Sequence, residues 1–243
     1  MLKTKNNFKF AVLLTALSVS LIFSAFISVS LGAVQISLKD TFNILISNIS
    51  GNVNISNLSG SIIAIVWNMR VPRVIMGIIV GAGLANCGSV MQTTVNNPIS
   101  EPYILGISAG ATFGATFFII LGLKSLTGIG AFFGSVISTV VVLFIASIGK
   151  KFTTTSLILS GAVVNALFSA FSNFIISIGA NSDSMMTIKF WTMGSLASAS
   201  WSDIALPMFI IFGSFIFFLF QHRILNTMLM GDDVAITLGI NLY

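Results

Sequence analysis

The chain has 243 residues, of which 56% are hydrophobic and 7% charged, and its net charge of +5 comes from 11 basic and 6 acidic side chains. A soluble domain carries about 25% charged residues to cover its surface, so this composition excludes a soluble globular protein and requires an outer surface that faces lipid. The basic residues stand in ones and twos and form no nucleic-acid patch, while one cysteine (Cys87) and one histidine (His222) can build neither an intrachain disulfide nor a zinc cluster.

A helix that crosses a bilayer needs about 20 apolar residues. Six segments meet that demand in chain order. The first covers residues 10–33, preceded by Lys3, Lys5 and Lys9. It is too long for a signal-peptide core and no A-x-A site follows, so an uncleaved span is expected. Residues 35–61, rich in Asn and Ser, read as an external loop. The second span covers 74–95 and the third 103–123. The fourth covers 128–148, ending at Lys150 and Lys151. The fifth covers 156–178. Residues 180–202 are polar and then amphipathic around 188–196, which predicts a short helix at the outer interface with Trp191 and Trp201 as anchors. The sixth span covers 204–220 and is closed by His222 and Arg223; the remainder, 224–243, is too polar to span and reads as one or two short cytoplasmic helices. Gly231-Asp232-Asp233 is a helix break followed by an acidic pair, which suits the positive end of a helix dipole. The expected fold class is all-α, a polytopic membrane bundle of six helices.

None of these spans holds an acidic, basic or histidine side chain in its interior, where a charge costs at least ~2.5–3.5 kcal/mol. With the N-terminus in the cytoplasm, alternation puts Lys3, Lys5, Lys9, Lys150, Lys151 and Arg223 inside. Lys39, Arg70, Arg73, Lys124 and Lys189 fall outside. The positive-inside bias is weak, and Arg70 and Arg73 spoil it most.

Polar residues recur at helical spacing within the spans: Asn86, Ser89, Thr93 and then Asn96 or Asn97 on the second, and Asn165, Ser169 and then Ser172 or Asn173 on the fifth. Two readings fit. Such groups serve as glue between packed helices, or they wall a water-accessible pathway. Gly77/Gly81, Gly106/Gly110 and Gly110/Gly114 form G-x-x-x-G pairs, a weak sign of close helix packing. Two prolines in Asn96-Asn97-Pro98-Ile99-Ser100-Glu101-Pro102 demand a tight connection outside any regular helix. No phosphate-binding G-x-x-x-x-G-K-[ST] loop occurs, and no intramembrane carboxylate is present to relay protons.

Five motifs in order share a likeness. Arg70-Val71-Pro72-Arg73 opens a glycine-rich helix. Asn97-Pro98-Ile99-Ser100-Glu101-Pro102-Tyr103-Ile104-Leu105-Gly106-Ile107-Ser108-Ala109-Gly110 follows. Then come Leu157-Ile158-Leu159-Ser160-Gly161, Phe190-Trp191-Thr192-Met193-Gly194-Ser195-Leu196, and Leu229-Met230-Gly231-Asp232-Asp233-Val234-Ala235-Ile236-Thr237-Leu238-Gly239-Ile240-Asn241. Together they resemble the BtuC-like, FecCD-type permease subunits of ABC importers for iron-siderophores, haem and cobalamin. The resemblance covers residues 70–243.

It implies a transport subunit of the bacterial cytoplasmic membrane that is no enzyme itself and binds no cofactor. Its implied partners are a second permease subunit, two cytoplasmic ATPases that bind the ATP, and an external substrate-binding protein. Arg70 and Arg73 become docking cations for carboxylates of that binding protein, which gives their wrong-side charge a purpose. Asn86, Ser89, Thr93, Asn165 and Ser169 become pathway walls. Asn97, Ile99, Thr154 and Thr155 match the cytoplasmic gate. Gly231, Asp232, Asp233, Ala235, Leu238 and Gly239 match the helices that couple to the ATPase. The cargo implied is an iron chelate, a ferric siderophore or haem, with cobalamin as the alternative. Family members have ten membrane helices, so residues 1–243 form one importer domain with a continuation of about 80–90 residues, or four spans, expected after Tyr243. The other possibility is a truncated remnant that does not transport.

Overall fold

The computed structural model describes residues 2–51, 58–148 and 153–239, and among them there is no β-strand. Helix α1 (Leu2–Ser30) opens with Lys3, Lys5 and Lys9, is predominantly apolar from Phe10 on, and has no Gly or Pro. Helix α2 (Leu38–Ser50) occupies the stretch expected to be an external loop. Its signals are local. The Asp40 amide donates to the Ser37 hydroxyl at 3.1 Å, and Gly51 closes the far end at φ 69°. Its Thr41 and Ile44 are buried. Asn and Ser dominated the composition there and hid the apolar stripe.

The second span also begins earlier than expected. Helix α3 (Gly60–Ala64), a π-helical turn (Ile65–Arg70) and helix α4 (Val71–Thr94) run on as one apolar helix, Gly60–Thr94. A proline inside a helix removes one hydrogen bond and crowds the carbonyl four residues back. Here the chain widens immediately before Pro72: the Val71 amide donates to the Val66 carbonyl, five residues back. Arg70-Val71-Pro72-Arg73, expected to open a helix, instead lies within one, and the wide turn accommodates its proline.

The third span is shorter than expected. A 3-10 turn (Pro102–Leu105) leads to Gly106 at φ 66°, and only then does α5 (Ile107–Ile120) start. Its 14 residues reach about 21 Å, less than a bilayer core. Helices α6 (Thr127–Ser147), α7 (Thr154–Gly179) and α9 (Trp201–Phe220) match the fourth, fifth and sixth spans. Among the described residues, five helices are thus long and apolar enough to cross a membrane, with α5 as a shorter apolar helix. The polar interval contains α8 (Ser182–Met193), capped by Asn181. The tail contains α10 (His222–Met228) and α11 (Asp232–Thr237).

Two compact units divide the chain, one made of residues 1–82 and 196–214, the other of residues 83–195 and 215–243. The first has its core at Val29, Ile36, Ile44, Val66 and Val71. In it the Trp67 and Trp201 rings lie 5.0 Å apart, and the Trp201 indole donates to the Trp67 carbonyl at 2.9 Å. The second has its core at Val95, Ala109, Val142, Ala146, Leu157, Val164 and Phe168.

The second unit is held by backbone contact. A Cβ on Gly110 would strike the Gly134 carbonyl, and one on Gly114 would strike that of Gly130. Gly130 and Gly134, a pair not singled out in the sequence, thus complete the α5–α6 seam begun by Gly110 and Gly114. The Ser138 hydroxyl donates to the Gly106 carbonyl at 2.8 Å in the same seam. Gly161 of α7 packs against the Ile104 carbonyl in the same way. Gly81 and Gly88 face open space.

Candidate translocation, docking and coupling sites

The expected gate residues lie on two elements of the second unit. The Thr154 hydroxyl, at the start of α7, donates to the Val95 carbonyl just past α4 at 3.1 Å. The connection beyond is folded by its own side chain: the Asn97 carboxamide oxygen accepts the Ile99 amide at 3.0 Å. Asn96 takes a positive φ of 50°, a conformation Asn tolerates better than most residues. Ile99 is thrust outward and is 85% exposed. Thr155 is exposed on the first turn of α7. Lys150 and Lys151, expected beside this gate, lie outside the described residues.

The segment expected to couple to the ATPase belongs to the same unit. Gly231 and Gly239 bracket α11 with φ of 97° and 84°, where any other residue would be strained. A Cβ on Gly231 would lie 3.8 Å from the Asn96 side-chain Nδ2, so the segment begins against the connection that follows α4. Ala235 is fully buried, whereas Val234, Ile236 and Leu238 are exposed. The small residue faces inward and the large apolar ones face out. Asp232 and Asp233 start α11; their side chains lie outside the described residues.

The pathway candidates divide between two places. Ser169 lines a pocket of about 400 Å³ with Thr112 of α5, Ser172 and Asn173 of α7, and Lys189 and Thr192 of α8. Asn165 is half-buried one turn earlier on α7. The α4 candidates do not line this pocket. Thr93 is buried and its hydroxyl donates to the Ser89 carbonyl at 2.8 Å, which satisfies it within its own helix. Ser89 is exposed and Asn86 half-buried. Lys124, another of the basic residues expected outside, pairs with Asp183 at 2.6 Å. That pair is exposed and contributes at most about 1 kcal/mol.

The two arginines of the expected dock differ sharply. Arg70, at the end of the π turn, is only 9% exposed. Its guanidinium donates to the Val29 carbonyl at 3.0 Å, to the Ser30 carbonyl at 2.6 Å and to the Val34 carbonyl. These oxygens belong to the last turn of α1 and the connection after it. Arg73, one turn on, is half-buried, and its Nε has no hydrogen-bond partner among the described residues. The sequence showed two equivalent cations because spacing alone cannot register the π turn beside them.

Residues 16–243 match the FecCD transport family. The chain belongs to the FecCD transport family. It is 35% identical over 73% of its length to a cobalamin import permease of Halobacterium salinarum, of which the match spans 48%. It is 33% identical over 72% of its length to a hemin transport permease of Yersinia pestis, of which the match spans 54%. An iron(3+)-hydroxamate import permease of Bacillus subtilis is 30% identical over 98% of the chain, which spans 70% of that relative. The chain therefore spans about half of the first two and rather more of the third. A solved metal-chelate type ABC transporter in an inward-facing conformation shares the fold, with a TM-score of 0.69 at 24% identity over 94% of the chain and 67% of that structure. As a FecCD-family chain it is a membrane-embedded, multi-pass transport permease, a class that carries out no catalysis itself.

Proposed function

We propose that this FecCD-family chain is the permease subunit of an ATP-driven importer whose cargo is an iron chelate, a ferric siderophore or haem. A second permease subunit completes the pathway, two cytoplasmic ATPases supply the drive, and an external binding protein delivers the cargo. The N-terminus lies in the cytoplasm. The observation that carries this reading is α11: a short helix bracketed by two positive-φ glycines, presenting Val234, Ile236 and Leu238 outward while Ala235 is buried. An exposed apolar face on so short a helix needs a partner, and its start against Asn96 gives that partner a lever on the gate connection. The iron cargo is supported by the hemin and iron(3+)-hydroxamate relatives. The cobalamin relative supports the second reading, a corrinoid cargo.

In proteoliposomes holding the full importer, Leu238→Asp places a charge on that face. ATP-driven uptake of a ferric hydroxamate should fall at least ~10-fold, which is about 1.4 kcal/mol of lost coupling. Uptake at the wild-type rate per ATP hydrolysed would remove α11 from the drive train.

A further inference from the structure

We infer that the pocket between α7 and α8 is an anion subsite in which Lys189 favours chelates bearing carboxylate or catecholate oxygens over neutral ones. The choice of cargo rests on the reading of the chain as an importer subunit; the pocket's preference for an anion does not.

Two helix faces of the second unit build the pocket. α7 contributes Ser169, Ser172, Asn173 and Ile176, and α8 contributes Met185, Ile188, Lys189 and Thr192. Each set steps through i, i+3, i+4 and i+7, positions that share one face of a helix. Thr112 of α5 adds a hydroxyl. α8 is itself anchored. Asn181 caps it by accepting the Ser184 amide at 2.8 Å, and the Lys124–Asp183 pair ties its first turn to the connection between α5 and α6. Ser184 and Ile188 are buried. Lys189 is thus carried to the pocket by a fixed helix and not by a free loop.

The polar groups there are not equivalent. The Ser172 hydroxyl donates to the Phe168 carbonyl and the Thr192 hydroxyl to that of Ile188, each within its own helix. Among the described residues no hydrogen bond or ion pair engages the side chains of Thr112, Ser169, Asn173 or Lys189. Asp183, the acid closest to Lys189 along the chain, is taken by Lys124. An ammonium, two hydroxyls and a carboxamide can all donate, so a ligand group made only of acceptors satisfies the set. No carboxylate lines the pocket to repel it. A hydrogen bond from an ammonium to an oxyanion is roughly twice as strong as one between neutral groups, and this sets an anionic oxygen above a neutral one. The volume of about 400 Å³ is near the lower end for small-ligand pockets, about 300–1,000 Å³. It holds one anionic arm of a chelate, such as a haem carboxylate, and leaves the rest outside.

The test uses the full importer in phosphatidylcholine nanodiscs, carrying Cys87→Ser and, as a reporter thiol on the pocket face of α8, Thr192→Cys. The Thr192 hydroxyl is satisfied within its own helix, so its loss takes no donor from the pocket. A trianionic ferric tris-catecholate should slow the reaction of this thiol with a maleimide at least ~10-fold, and a neutral ferric tris-hydroxamate at the same concentration by less than about threefold. Lys189→Gln should abolish the protection and Lys189→Arg should keep it. In proteoliposomes supplied with the binding protein, Lys189→Gln should lower uptake of the tris-catecholate relative to the tris-hydroxamate at least ~10-fold; comparison with the wild type cancels the preference of the binding protein. Protection equal for the two chelates, or indifferent to Lys189→Gln, overturns the anion subsite. So does a thiol protected by phosphatidylglycerol in the disc and not by the tris-catecholate, which would give the pocket to lipid headgroups. Protection that depends on Lys189, with both uptakes changed equally, keeps the subsite and overturns its choice of cargo. A wild type that imports neither chelate while protection persists keeps the subsite and sinks the importer reading instead.

Discussion

Glycine makes the sharpest claims at the scale of single residues. Gly134 has no room for a side chain, because a Cβ there would run into the Gly110 carbonyl and come 3.0 Å from its carbon. Those are backbone atoms and cannot step aside. Gly134→Val should therefore destabilise the second unit by about 1–3 kcal/mol, the usual cost of overpacking, read as a lower unfolding temperature in detergent. Gly81, which meets nothing, gives the control: Gly81→Ala should leave stability unchanged or raise it by up to about 1 kcal/mol, as helix propensity dictates. A drop for Gly81→Ala equal to that for Gly134→Val would show that the seam is not what the glycines serve. Of the three G-x-x-x-G pairs singled out in the sequence, only those built on Gly110 have their meaning here, and a fourth with the same spacing, Gly130/Gly134, supplies their partner.

Apolar length was enough to locate most of the helices. α6, α7 and α9 lie within a few residues of the expected spans, and α1 covers most of the first, because a bilayer-length apolar run has few other ways to satisfy its backbone. The misplaced boundaries share one cause: local backbone chemistry outweighed composition. Pro72 reads as a helix start, yet the π turn before it lets the helix run through. Pro102 and Gly106 spend the beginning of the third segment on a 3-10 turn and a left-handed residue, which leaves α5 short. In α2 a Ser37 cap and a Gly51 stop make a helix from a stretch whose composition reads as loop. The polar residues of α7 were legible as a face, but not their neighbours: the pocket beside Ser169 takes its lysine from α8 and a threonine from α5. If this pocket belongs to the pathway, a bulky thiol reagent on Ser169→Cys should block uptake, whereas the same reagent on Leu159→Cys, exposed on the same helix and absent from the pocket, should not. Equal sensitivity at both positions would return the polar face of α7 to a packing role.

For the molecule as a whole, exposed apolar surface is the dominant fact. Phe209, Phe212, Phe217 and Phe220 of α9 stand outward, as do Phe132 and Phe144 of α6. No soluble protein could leave such a surface bare, so lipid or further protein must cover it. Orientation across the membrane is set in the proposal by Lys3, Lys5, Lys9, Lys150 and Lys151 in the cytoplasm. A cysteine placed beside Lys150 should then react with an impermeant reagent only in inside-out vesicles, and reaction in right-side-out cells would invert the whole arrangement. The wide turn at Ile65–Arg70 also bears on how this chain tolerates change. A π turn behaves as an α-helix with one residue too many. Deleting a single residue within it would heal the helix rather than break it, while turning all that precedes it by about 100° relative to Pro72 and shortening it by about 1.5 Å. The span would survive such a deletion as a span, and the grip on the end of α1 would be lost.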